Sequence, residues 1–131
     1  MQPSDKQIWN HIAWGIEALE AGEDFIRIIA HKHDDDALEF LGVDTMNDVI
    51  GWILVFLREI KELGPKECFI PHGWADRCKE SGYTDLFLYP YVFNSQHFNK
   101  TIYLKFGIRK TEEKENPHLY CHLDLHKSND A

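Results

Sequence analysis

His118-Leu119-Tyr120-Cys121-His122-Leu123-Asp124-Leu125-His126 alternates in polarity at every step. Leu119, Cys121, Leu123 and Leu125 are the apolar set, and His118, Tyr120, His122, Asp124 and His126 are the polar one. Successive residues of a strand face opposite ways, so the pattern predicts a strand with one core-facing edge and one imidazole-rich edge. The stretch before it behaves alike. Ile102, Leu104, Phe106 and Ile108 fall on one side, and Thr101, Tyr103, Lys105, Gly107 and Arg109 on the other. The charged connector 110–117 joins the two most simply as an antiparallel hairpin.

Upstream, the spacing changes to that of helices. Ser4-Asp5-Lys6-Gln7 matches a capping box, with Gln7 three residues after the N-cap. Trp9, Ile12, Ala13, Ile16 and Leu19 predict a helix to about Leu19 with those residues inward. Phe25, Ile28 and Ile29 suggest a second short helix, although the same residues also suit a strand. Ala37, Leu38 and Leu41 form a short helix ended by Gly42. Asp44 or Thr45 caps the longest helix, about 45–63, with a stripe of Val49, Ile53, Phe56, Leu57 and Ile60 and with Trp52 beside it. Gly64-Pro65 stops it. Residues 68–70 suit a strand or extended chain, and 74–80 a short helix. Residues 83–89 favour a strand that Pro90 confines to an edge, an end or a bulge. Residues 94–99 form a loop. Helices first and strands last predict a single compact α+β domain over 1–131: N-terminal helices packed against a small C-terminal antiparallel β-sheet, with a tail frayed from about 127 to 131.

A chain of 131 residues with 44% hydrophobic content and four tryptophans has material for a substantial core. Three cysteines, Cys68, Cys78 and Cys121, leave an odd thiol and make no disulfide framework, which points to a reducing compartment. Cys68 and Cys121 sit in apolar settings and are expected to be buried, whereas Cys78 is the one expected to be partly exposed. The N-terminus lacks a basic flank followed by an apolar run, and the apolar stretch 52–57 is far too short to cross a membrane. The expected location is the cytoplasm, without membrane contact.

The net charge of −8 is uneven. Residues 1–66 hold thirteen acids and six bases, and residues 67–131 nine acids and eight bases, giving −7 and −1. Within the second half, Lys100, Lys105, Arg109 and Lys110 occupy 97–111 with no acid, the only stretch suited to an anion.

Two functional readings follow. In the first, the acidic half and abundant aromatics make a protein-binding module without catalysis. It neutralises a basic partner, as a bacterial immunity protein would block a toxin nuclease cleft. Its acids are Asp34, Asp35 and Asp36, and its anchors are Trp14, Trp52, Trp74 and Tyr91. In the second, the last two strands cleave RNA without a metal. His122 is the acid or base, Lys105 and Arg109 stabilise phosphate charge, Tyr120 donates a hydrogen bond or stacks on a base, and Asp124 orients an imidazole. The 2′-hydroxyl is then the nucleophile, so the protein needs none. A homodimer through the last strand is a third arrangement. Nucleic acid enters only under the second reading.

No cofactor is expected. His31, His33, Asp34, Asp35 and Asp36 are a dense polar cluster, but their spacing matches no zinc or calcium motif, and a solvated turn with acids at a helix start explains them. His118, His122 and His126 lie four apart, about 13 Å between neighbours in an extended strand. They cannot share one ordinary metal ion if that strand is regular. Phosphate loops, dinucleotide fingerprints, zinc fingers and nucleophile elbows are absent from the sequence.

Overall fold

A computed structural model describes residues 3–22, 26–28, 34–71, 76–77, 87–109 and 118–127, with the backbone course alone at 26–28, 34–36, 46, 76–77, 87, 109 and 118–127. The elements follow in the order α1 (Asp5–Ala21), β1 (Ile26–Ile28), α2 (Asp34–Leu41), α3 (Met46–Leu63), α4 (Pro65–Cys68), β2 (Asp76–Arg77), β3 (Phe87–Ser95), β4 (Lys100–Arg109) and β5 (His118–Lys127). The helices precede the three long strands, and the layout is α+β.

The helix starts follow local chemistry. The Ser4 hydroxyl accepts the Gln7 amide hydrogen at 3.2 Å while the Ser4 amide donates to Gln7 Oε1 at 2.7 Å, closing the capping box. Thr45 caps α3 by accepting the Asp48 amide hydrogen. Gly64, at φ 107°, turns the chain out of α3, and Pro65 opens α4 at a position where its missing amide hydrogen costs no helical bond.

α3 buries Val49, Ile53, Phe56, Leu57 and Ile60 completely. Each contributes about 1.5–3 kcal/mol of burial before the entropy of ordering is counted. The inward arc of α1 is Ile8, His11, Ile12, Gly15, Ile16, Ala18 and Leu19. Trp9, expected inside, is 50% exposed, because the arc through Ile8, Ile12 and Gly15 leaves position 9 on the outer side. At Gly15 the helix comes so near its neighbours that a Cβ would stand 2.8 Å from Leu57 Cδ1 and 3.2 Å from the Phe106 ring.

The sheet has five strands in the order β1-β5-β4-β3-β2. β5 pairs antiparallel with β4, as the hairpin reading expects, and parallel with β1. Residues 26–28 are therefore strand and not helix: their backbone completes the free edge of β5, with Ile26 opposite Leu119 and Ile28 opposite Cys121. The helix expected over 74–80 is also corrected. Asp76 and Arg77 are strand, pairing Leu88 and Phe87, and the rest of that stretch lies outside the described residues. Pro90 sits within β3. Its carbonyl accepts the Ile70 amide hydrogen, so the proline's own nitrogen also faces away from β4 and no β3–β4 bond is lost.

Tyr91, Phe93, Ile102, Leu104, Phe106 and Ile108 project from one face into the helices and complete the core. On the other face, Leu88, Pro90 and Gly107 are buried at one end, while Val92, Thr101, Tyr103 and Lys105 remain half-buried. No described helix is long and apolar enough to cross a membrane.

Candidate functional site

The polar positions of β4 and β5 come together by register. Tyr103 stands opposite His126, Lys105 opposite Asp124, Gly107 opposite Tyr120 and Arg109 opposite His118. Between Lys105 and Gly107 the ladder shifts, so that two steps along β4 span four along β5. His122 falls inside that irregular stretch and is in register with neither Lys105 nor Arg109, the two β4 residues proposed to work with it. The imidazole position across from Tyr103 is His126. Bulges of this kind re-aim a strand locally and occur next to active sites. Tyr103 and Lys105 each engage neighbouring groups and are not free side chains.

β3 extends the same face. Val92 is opposite Tyr103, Pro90 opposite Lys105, and exposed Asn94 opposite Thr101, whose hydroxyl it accepts. Lys100 lies near two rings, 5.6 Å from the centre of Phe40 and 5.5 Å from that of Phe98. One end of the basic strand is thus tied to the helical layer.

The anchors proposed for a protein partner scatter. Tyr91 has no exposed surface; its hydroxyl lies 2.9 Å from His11 Nδ1 in the interior, so it offers nothing to a docking protein. Trp14 and Trp52 are half-buried and lean on the core, Trp52 stacking beside Phe56 and meeting Phe98 edge-on. The backbone of Asp34, Asp35 and Asp36 forms the first turn of α2. Trp74 lies outside the described residues, as do His31, His33, His72 and Cys78.

Two polar groups escaped the sequence reading. His11 is fully enclosed, stacked 4.1 Å from the Tyr89 ring and 4.4 Å from that of Phe106. Burial pushes it down to about 3, with the Phe106 backbone opposing the shift, so the ring is neutral. Its Nε2 reaches no partner at hydrogen-bonding geometry. Glu59 is the other. It lies on the inward side of α3 between Phe56 and Ile60, and its Oε1 accepts the amide hydrogens of Gln96 and His97 at 2.9 and 3.0 Å and meets His97 Nδ1 at 2.8 Å. Burial favours its neutral form, but the hydrogen bonds from Ser95, His97 and Gln96 outweigh burial and hold the carboxyl below its ordinary range. A polar residue on an otherwise apolar helical stripe was the available signal at both positions.

The buried Cys68 thiol is pushed up to about 11 by burial and, secondarily, by Glu67, which keeps it protonated and unfit as a nucleophile. Among the described residues, no group of three metal-ligating side chains converges. No protein-family model matches the chain, and comparison with curated proteins and with solved structures yields no match.

Proposed function

We propose that the chain cleaves RNA on the sheet face that carries Tyr103 and Lys105. The observation that carries this reading is the register: one phenol, one lysine and one arginine of β4 lie across from His126, Asp124 and His118 of β5. These are the residue types that phosphodiester cleavage needs, and the three from β4 lie in 97–111, the stretch that has bases and no acids. Much of the overall negative charge belongs to the helical layer, where Glu17, Glu20, Glu39, Asp44 and Glu62 are exposed, so the acidic composition does not oppose an anion at the sheet.

In this mechanism an imidazole, assigned to His126 in place of His122, removes the 2′-hydroxyl proton. The 2′-oxygen attacks phosphorus, a 2′,3′-cyclic phosphate forms, and the bond from phosphorus to the 5′-oxygen breaks. Tyr103 donates toward the phosphate, Lys105 and Arg109 offset its growing charge, the leaving 5′-oxygen takes a proton from water, and the imidazolium of His126 returns its proton to solvent.

The test is cleavage of mixed RNA by pure protein in excess chelator, with identification of the 3′ ends. Cyclic-phosphate ends are expected, with a rate loss of about 100-fold in His126→Ala and in Lys105→Ala. Full activity in both folded variants, or no cleavage by the parent protein on any RNA, sinks the proposal.

The acidic binding module remains a second proposal, because one observation favours it. Among the described residues, Glu17, Glu39, Asp44 and Glu62 make no ion pair, whereas Glu20 and Asp5 are matched by Arg58 and Lys66. The helical layer would then meet a basic nuclease, in the manner of a bacterial immunity protein, with Trp14 and Trp52 at its margin. Titration with cationic nucleases would show tight association that weakens steeply with salt and suppresses their activity. Salt-independent binding, or binding that leaves the nuclease active, removes this reading.

A further inference from the structure

Between Asp48 and Arg58, α3 carries no polar side chain: residues 49–57 read Val-Ile-Gly-Trp-Ile-Leu-Val-Phe-Leu. A helix that is apolar all round is ordinarily covered all round. The core covers the inward stripe, but on the outer side of the same turns Gly51 is exposed and Trp52, Leu54 and Val55 are half-buried. There Val43, Asn47, Asp48, Gly51, Trp52 and Val55 line an open groove of about 320 Å³. The two glycines of the helical layer differ in what explains them. At Gly15, Leu57 and Phe106 stand where a Cβ would go; at Gly51, no described atom lies within 4 Å of that point. Glycine destabilises a helix interior relative to alanine, and nothing among the described residues offsets that at position 51.

The charges that bound this face are opposite in sign. Asp48 and Arg58 are both exposed and lie about 15 Å apart along the axis, with Gly51 and Val55 placed symmetrically between them about the level of Ile53. An antiparallel α3 from a second copy, laid on this face, sets Asp48 against Arg58 of that copy and Gly51 against Val55 of that copy. The two-fold axis repeats each contact. The face is therefore complementary to itself, in charge at its ends and in shape at its centre. Arg58 meets Glu20 only at 3.9 Å, with both side chains more than half exposed, and its guanidinium has donors for a second carboxylate. Asp48 makes no ion pair among the described residues. A steep crossing, at about −50°, carries Glu62 away from Asp44 of the second copy, while the long Arg58 side chain still spans to Asp48.

We propose that two copies of the chain associate through this face, α3 antiparallel on α3, with Val55 of each seated over Gly51 of the other. The contact removes the outer surfaces of Val43, Trp52 and Val55 from water, and the exchanged Asp48–Arg58 pairs fix its direction. A single helix crossing is small beside the roughly 1,200–2,000 Å² of stable complexes, and each chain carries a net charge of −8. The dimer is accordingly weak, with an expected Kd of about 10–100 μM. It forms on the helical layer and leaves the last strand unused.

The experiment is sedimentation velocity on the whole protein from about 1 μM to about 1 mM, where a monomer–dimer equilibrium is expected. Gly51→Leu, at an exposed position with open space, should abolish the dimer without altering the circular dichroism spectrum. Asp48→Arg and Arg58→Asp should each weaken association about tenfold or more, because like charges then meet twice. The Thr45 cap survives the first change, since it holds the backbone amide of position 48. Mixing the two charge variants should restore a dimer, every pair then being one acid and one base. A protein that stays monomeric to about 1 mM overturns the proposal. So does a dimer indifferent to Gly51→Leu, which would join through another surface such as the last strand. Charge variants that are monomeric alone and fail to associate when mixed overturn it as well. None of these outcomes bears on RNA cleavage, which is read on β4 and β5.

Discussion

The two faces of the sheet obey different rules. On the helical face, Tyr91, Phe93, Ile102, Leu104 and Phe106 are almost wholly enclosed, and the polar groups admitted there are confined to fixed partners. His11 is held neutral between Tyr89, Tyr91 and Phe106, and Glu59 is spent on the turn at 96–97. On the opposite face, Thr101, Tyr103 and Lys105 keep partial exposure and stand in register with polar positions. The first face stores stability, and the second is the one proposed to carry chemistry. A polar residue therefore cannot be judged by its type alone: an imidazole at 11 is structural, while one at 126 is a candidate base.

The contrast breaks most sharply through the core. Phe56→Ala should cost about 3–5 kcal/mol in denaturant unfolding, because Phe56 is completely buried among Trp52, Phe93 and Phe98. A cost below about 1 kcal/mol would mean that the helical face is not the tightly packed one.

The next effect is a pH dependence. His11 titrates at about 3 in the folded state but near 6.5 when unfolded, so between these values the unfolded chain holds more protons. Stability should fall as pH drops from about 6.5 toward 3, by several kcal/mol at the limit. Glu59 adds a loss of the same sign at lower pH, since its depressed folded value makes its contribution present above the unfolded carboxyl range and lost as pH falls through the folded one. Unfolding curves of His11→Phe against pH should lack the upper part of this slope. An unchanged slope would show that the ring is not buried neutral.

Glu59→Gln comes third. The amide keeps an acceptor for the backbone donors but loses the charge, for an expected cost of about 1–3 kcal/mol, with faster hydrogen exchange at Gln96 and His97. Smallest in stability is Lys105→Ala, at about 1 kcal/mol or less, yet it should reduce RNA cleavage about 100-fold. A Lys105→Ala protein that unfolds while sparing cleavage per folded molecule would reverse the assignment of the two faces.

Parts of this were legible without coordinates. The capping box at Ser4, the α3 stripe and the paired alternation of β4 and β5 are local patterns, set by residues within a turn or a strand of each other. The burial of Cys68 followed from its apolar neighbours. Where local preference was balanced, the sequence left the choice open. Residues 26–28 suit helix or strand, and only the unpaired edge of β5, more than ninety positions away, makes them strand. The spacing of Trp9 with Ile12, Ala13, Ile16 and Leu19 placed it inward, whereas the arc containing His11 and Gly15 is set by how closely α1 approaches Leu57 and Phe106.

The candidate site divides the same way. Its residue types and the alternation that gathers them on one strand edge follow from covalent order and the two-residue repeat of an extended chain. Which imidazole faces which phenol depends on register: Tyr103 stands opposite His126, and the shift between Lys105 and Gly107 leaves His122 between the paired positions. The fate of Tyr91, drawn inside by His11 across eighty positions of sequence, and the anchoring of the β3–β4 turn by Glu59 were likewise decided only when the layers packed. Strand pitch and helix caps are short-range properties of the chain, whereas burial and cross-strand neighbours depend on what distant segments bring against it.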